Sequence, residues 1–257
     1  MPDEFMARVR AREIIKRLKL EKATDISIEN IAWTEGALVV EDGLRGADAR
    51  LIHTPGVTPA ILRVNVTVNP RGRKRFAIAH ELGHLKLNHS PGCPIECTEK
   101  EFLAWYKEQK NQEVEANIFA AELLLPEELF QIRLQRTLPS MELIEDLAGE
   151  FQTTMTATAI RYVELFGERC ALVYSVAGRI RWVRRSEAFG HWIAPGSQLS
   201  TNTYASDFFT KGQLGSSKME GVRLDAWADG TSQWDTLKEQ SRALPSYGAV
   251  LTLLWIP

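Results

Sequence analysis

Cysteine is scarce: Cys93, Cys97 and Cys170 are the only three in a chain of 257 residues. An odd and small number cannot build a disulfide framework and fits a reducing compartment, so all three are expected as free thiols. Cys93 and Cys97 in PGCPIEC stand wider apart than a C-x-x-C pair; an isolated pair of this kind reads as packing, with a redox-sensitive thiol as the alternative. Neither sign of charge dominates. Lys+Arg 31 against Asp+Glu 33 gives a net charge of -2, so no global positive field draws the chain to DNA or to anionic lipid. Long apolar runs are missing from the start of the chain. MPDEFMARVRAREIIKRL carries charges throughout and reads as neither a secretory signal nor a membrane span, so a cytoplasmic protein without membrane contact is expected. Repeats and low-complexity tracts are absent too. What remains is a 44% hydrophobic composition, enough for one large or two medium globular domains.

The stretch that carries chemistry is RFAIAHELGHLKLNH, Arg75 to His89. Residues four apart on a helix share a face, so His80 and His84 can offer two ring nitrogens to one metal ion, zinc by its preference for such ligands. Glu81 is swung roughly 100° round the helix from His80, beside the metal and not on it, where it can hold a water. Phe76, Ala79, Gly83 and Leu87 make one apolar flank and Ile78, Leu82 and Leu85 the other. A polar stripe of Ala77, His80, Glu81, His84 and Asn88 between two buried flanks costs too much unless it is ligated or lines a cleft. Upstream, GALVVEDG, ARLIHT and AILRVNVTV read as short strands, the last beside the cleft and able to pair with an extended peptide. An amphipathic helix using Phe5, Val9, Ile14 or Ile15 and Leu18 precedes them.

A catalytic zinc needs a third protein ligand. QEVEANIFAAELLLPEEL is a helical pattern interrupted by Pro126, and Glu113 and Glu115 are its candidates, about 200° apart so that only one can face the metal. Glu113 is favoured because it shares a face with Asn117, which could hydrogen-bond a ligating histidine. Glu115 then reads as a partly exposed helix charge. His89 falls one position early for the pattern H-E-x-x-H-x-x-G-x-x-H and lacks its glycine, so it reads as a helix-end residue suited to the carboxyl terminus.

These two blocks, RFAIAHELGHLKLNH and EVEANIFAAELLLP, together resemble the ImmA/IrrE family of metallo-endopeptidases. The resemblance covers about Ala60 to Glu127 well and extends less closely through Gly167; many members carry a histidine at the position of Asn88. It implies a gluzincin-like site with His80, His84 and Glu113 on Zn²⁺ or Mn²⁺ and Glu81 as the general base. It also implies a protein substrate, a helix-turn-helix repressor cut in a stress or mobile-element response.

After the second metal helix, Leu143, Ile144, Leu147 and Phe151 predict one helix, Gln152-Thr153-Thr154 a turn, and Ala157, Ile160, Val163 and Leu165 another. The proportions are those of a helix-turn-helix, but Arg161 is the second helix's lone cation, so direct DNA binding is not expected. Arg161 and Tyr162 are candidates for oxyanion stabilisation if this helix covers the cleft. From Arg169 the pattern turns strand-rich: a hairpin about Ala177-Gly178, a short helix in TYASDFFTKG and a buried final strand AVLTLLWIP. Trp182, Trp192, Trp227, Trp234 and Trp255 read as core or interface residues. The expected organisation is α+β. A zincin-like domain with a small antiparallel sheet and active-site helices spans 1–136, a helix-turn-helix-like segment 137–167, and an α/β domain 168–257, GAF-like by analogy with some relatives, for sensing or docking. The competing reading is a metal-stabilised module that engages a repressor without cutting it.

Overall fold

The computed structural model describes residues 2–89, 111–135, 137–228 and 235–257. Cys93, Cys97 and Trp234 therefore lie outside the described residues. The chain divides into two compact units, Met1–Ile132 with Ala148–Thr154, and Arg133–Leu147 with Met155–Pro257.

The first unit opens with α1 (Glu4–Arg17), whose N-cap Asp3 accepts the Met6 N–H at 3.0 Å and whose last turn carries Lys16 and Arg17. Its buried residues are Ala7, Ala11 and Ile14, whereas Phe5 is 74% exposed, so the sequence reading of a Phe5 stripe is corrected. Small residues on the buried side let α1 lie close to the helix it packs on, α4 (Asn111–Leu124), and a phenylalanine there would hold the two apart. After α2 (Ile28–Thr34) come β1 (Ala37–Asp42), β2 (Ala49–Ile52) and β3 (Ala60–Asn65). They form one sheet in the order β1-β3-β2. The sheet is mixed, not antiparallel as expected: β3 runs parallel to β1 and antiparallel to β2. A third strand returning into the slot between an up strand and a down strand must match one of them. It follows that β2, and not β3, is the edge strand on that side. Ala60, Leu62 and Val64 alternate inward along β3 and are buried.

α3 (Arg71–Lys86) packs on this sheet and on α4. Every residue from Arg75 to His84 is buried, so the helix is enclosed on all sides around its middle. Gly83 explains how closely α4 can approach: an added Cβ would stand 3.0 Å from the Phe119 ring and 3.2 Å from the Ala116 Cα.

α5 (Glu127–Leu134), α6 (Met141–Phe151) and α7 (Met155–Leu165) follow. The turn between α6 and α7 falls at Gln152, in the left-handed region at φ 53, as the spacing predicts. In the second unit β4 (Cys170–Val176), β5 (Arg179–Arg185), β6 (Glu220–Arg223), β7 (Thr236–Leu244) and β8 (Ala249–Trp255) form a sheet of order β5-β4-β8-β7-β6, antiparallel throughout. Ala177 at φ 51 and Gly178 at φ 73 make the two-residue turn of the β4–β5 hairpin. β8 sits centrally and its AVLTLL run is buried. α8 (Tyr204–Lys211) lies against β7 and β8, and its Ala205 N–H is accepted by buried Glu239 at 2.7 Å. Trp182 and Trp227 are core residues, while Trp192 is 62% exposed beneath the Arg185 guanidinium. Cys170 is a free buried thiol whose pKa burial pushes up to about 12.

Candidate metal centre

One face of α3 and one face of α4 build the site. His80 Nε2 and His84 Nε2 stand 3.0 Å apart, and Glu113 brings Oε2 to 3.3 Å from the first and Oε1 to 3.5 Å from the second. These three residues form a group that could hold a metal ion. The separations fit a tetrahedral ion: ligands at ~2.0–2.2 Å from a common centre lie roughly 3.4 Å from one another.

The protons agree with that fit. His80 Nδ1 meets Asn117 Oδ1 at 2.8 Å, and an amide oxygen only accepts, so the ring's proton sits on Nδ1 and Nε2 is bare. Two imidazole lone pairs and a carboxylate thus converge on one point among buried residues, an arrangement that a cation satisfies. Burial pushes His84 down to about 4 against the pull of Glu113. Burial would raise Glu113, but the two histidines facing it outweigh that and hold it at about 2. Both are therefore in ligand form at neutral pH.

Glu81 is buried one residue along from His80, and its Oε2 accepts the Leu51 N–H of edge strand β2 at 2.8 Å. Glu113 and Asn117, one turn apart, both meet the histidine stripe, as their shared face predicts.

Two residues are placed differently from their sequence readings. His89 is no simple helix-end cation: its Nδ1 lies 2.8 Å from His84 Nδ1 and its Nε2 lies 2.8 Å from Glu115 Oε2. Glu115 in turn accepts the Asp3 N–H on Oε1 at 2.7 Å, so it is a buttress and not a free helix charge. The signal that could have found them is Asn88. Asparagine tolerates the left-handed conformation that closes a helix, and here Asn88 has φ 54. The His89 N–H then returns to His84 O at 3.0 Å and the Asn88 N–H to Leu85 O at 3.3 Å, the bond pair of a Schellman turn.

Arg161 and Tyr162 lie in α7, in the second unit, with Ala157 through Val163 all buried. Arg161 stands 3.7 Å from Glu164, and Tyr162 stacks on Phe166 at 4.7 Å between centroids. No helix among the described residues is long and apolar enough to cross a membrane.

Residues 35–162 match the family model described as the IrrE N-terminal-like domain, Peptidase_M78. None of the curated proteins matches the chain. Among solved structures, a Mycobacterium tuberculosis transcriptional regulator has a similar fold, with a TM-score of 0.60 at 17% identity over 97% of this chain and 87% of that one.

Proposed function

The chain belongs to the ImmA/IrrE family of metallopeptidases through residues 35–162, and on that premise we propose that it is a metal-dependent endopeptidase acting on a protein substrate. The observation that carries the proposal is the pairing of two carboxylates with different duties. Glu113 converges with His80 and His84, while Glu81 stands beside them, buried and held by the Leu51 N–H. His80, His84 and Glu113 would hold the ion, Zn²⁺ on the strength of two imidazoles and one carboxylate, with Mn²⁺ as the alternative. Such an ion supplies a Lewis acid that polarises a carbonyl and makes water acidic near neutral pH. Glu81 takes the proton from the attacking water and delivers it to the leaving amine. Asn117 keeps His80 in the tautomer that leaves Nε2 bare.

The substrate that the family resemblance implies is a helix-turn-helix repressor, and a transcriptional regulator of similar fold suits a regulatory setting. Recognition of one protein needs contacts beyond the scissile bond, because a cleft and an edge strand recognise any extended backbone. Residues 168–257 are the proposed source of those contacts. Incubation of the loaded chain with candidate repressors, read by intact mass, is expected to give two new termini with wild type and none with Glu81→Gln. A stable complex without new termini would instead support the metal-stabilised binding module.

A further inference from the structure

α4 does more than supply one carboxylate. At successive alternate positions it presents Glu113, Glu115 and Asn117, and each reaches the histidine stripe by a different route. Glu113 faces both Nε2 atoms, Asn117 takes the outer nitrogen of His80, and Glu115 reaches the outer nitrogen of His84 only through a third imidazole. We propose that Glu115 and His89 form a positioning relay that fixes the tautomer and orientation of His84, so that its Nε2 is presented bare to the ion. The inference rests on the metal-centre reading and adds two residues to it.

The direction of the relay is set by which groups can donate. A carboxylate only accepts, and Glu115 has both oxygens engaged, Oε1 by the Asp3 N–H at 2.7 Å and Oε2 by His89 Nε2 at 2.8 Å. His89 Nε2 must therefore carry a proton, and in the neutral form of the ring Nδ1 is then an acceptor. The partner of that acceptor is His84 Nδ1 at 2.8 Å, so the His84 proton sits on Nδ1 and Nε2 is free. The order of donors and acceptors runs in one direction from the carboxylate to the site. The rings meet edge to face, at 68° between planes and 4.9 Å between centroids, so the nitrogen-to-nitrogen contact also sets the tilt of His84.

The backbone independently points the same way. An α-helix continued past Leu87 would carry residue 89 roughly 500° round from His84, away from its outer nitrogen. The left-handed turn at Asn88 folds the chain back, and the His89 N–H bonds to the His84 carbonyl at 3.0 Å. One residue is thus tied to His84 twice, by its main chain and by its ring.

The test is zinc affinity of the full chain by competition with a chromogenic chelator, alongside the melting temperature of the metal-free protein. His89→Ala and Glu115→Ala are each expected to weaken zinc binding by ~10–100-fold, the usual effect of removing the partner of a ligating histidine. His89→Gln, whose amide oxygen can accept from His84 Nδ1, is expected to recover most of the loss. In the double variant His89→Ala/Glu115→Ala affinity should be no lower than in His89→Ala alone, because the two act in series. Should His89→Ala fail to fold, Glu115→Ala decides alone, one ring further from the site. Wild-type affinity in the single variants, or additive losses in the double, overturns the relay and leaves the metal centre standing. Absence of zinc binding by wild type overturns both.

Discussion

The Glu81 carboxylate accepts the Leu51 main-chain N–H at 2.8 Å, which fastens a buried side chain of α3 to the edge strand of the first sheet. That bond needs only an acceptor, and an amide oxygen would make it as well. It allows the proposed acid-base role of Glu81 to be separated from its structural one.

Glu81→Gln is accordingly expected to fold, keep zinc affinity within a few-fold of wild type, and lose cleavage by ~10²–10⁴ in kcat, the range for a removed general base. Chelator competition and single-turnover cleavage of the same preparation check both halves. Retained cleavage would remove Glu81 from the chemistry.

Loss of donors should read out in stability as well as in metal content. Zinc at about 100 times its dissociation constant stabilises a folded site by ~2.7 kcal/mol, so wild type should melt measurably higher with zinc than after chelation. Glu113→Ala should narrow that gap, and His80→Ala/His84→Ala should abolish it, as followed by differential scanning calorimetry with metal analysis. A full metal complement in the double variant would displace the site.

The metal-free protein should be acid-labile in a definite window. His84 is held near 4 against an ordinary 6.5, so the folded state binds fewer protons there than the unfolded chain. Its stabilising contribution is complete above 6.5 and is lost as pH falls through 4, a change on the order of 3 kcal/mol. Glu113, held near 2 against 4.5, adds a second loss of the same sign at lower pH. Urea unfolding of chelated protein at pH 7 and pH 5 should show the first step, and His84→Gln should flatten it. Equal stability of wild type at the two pH values would contradict the assignment.

Two helical glycines should respond oppositely to alanine. At Gly83 the new methyl meets the Phe119 ring at 3.0 Å and the Ala116 backbone at 3.2 Å, which predicts a loss of ~1–3 kcal/mol from overpacking. At Gly149, within α6, nothing lies within 4 Å, and a gain of ~0.4–1 kcal/mol follows from the stiffer unfolded chain. Paired chemical melts decide both signs.

The parts of this molecule legible in its sequence are those set by local periodicity. The His80–His84 face, the Glu113–Asn117 face, the Gln152 turn and the Ala177-Gly178 hairpin each follow from spacing or turn chemistry within a few residues. The sheet order was not legible, because nothing in GALVVEDG, ARLIHT or AILRVNVTV says that the third strand enters between the first two. His89 and Glu115 look like ordinary helix charges in the sequence, since 26 positions part them and only the fold sets one ring between two groups. The exposure of Phe5 is illegible for a related reason: amphipathic spacing marks an apolar stripe but says nothing of how near the neighbouring helix will come.

That nearness has its own consequence at Gly83. This residue lies on the turn of α3 between His80 and His84, opposite Ala116, which follows Glu113 on α4. The missing side chain therefore acts as the jaw setting of a caliper whose two arms are the imidazole pair and the carboxylate. A methyl group there would press on the Phe119 ring and the Ala116 backbone and so push α4 away from the imidazole pair. The width of this candidate cage is thus set by a residue that would offer an ion nothing to bind.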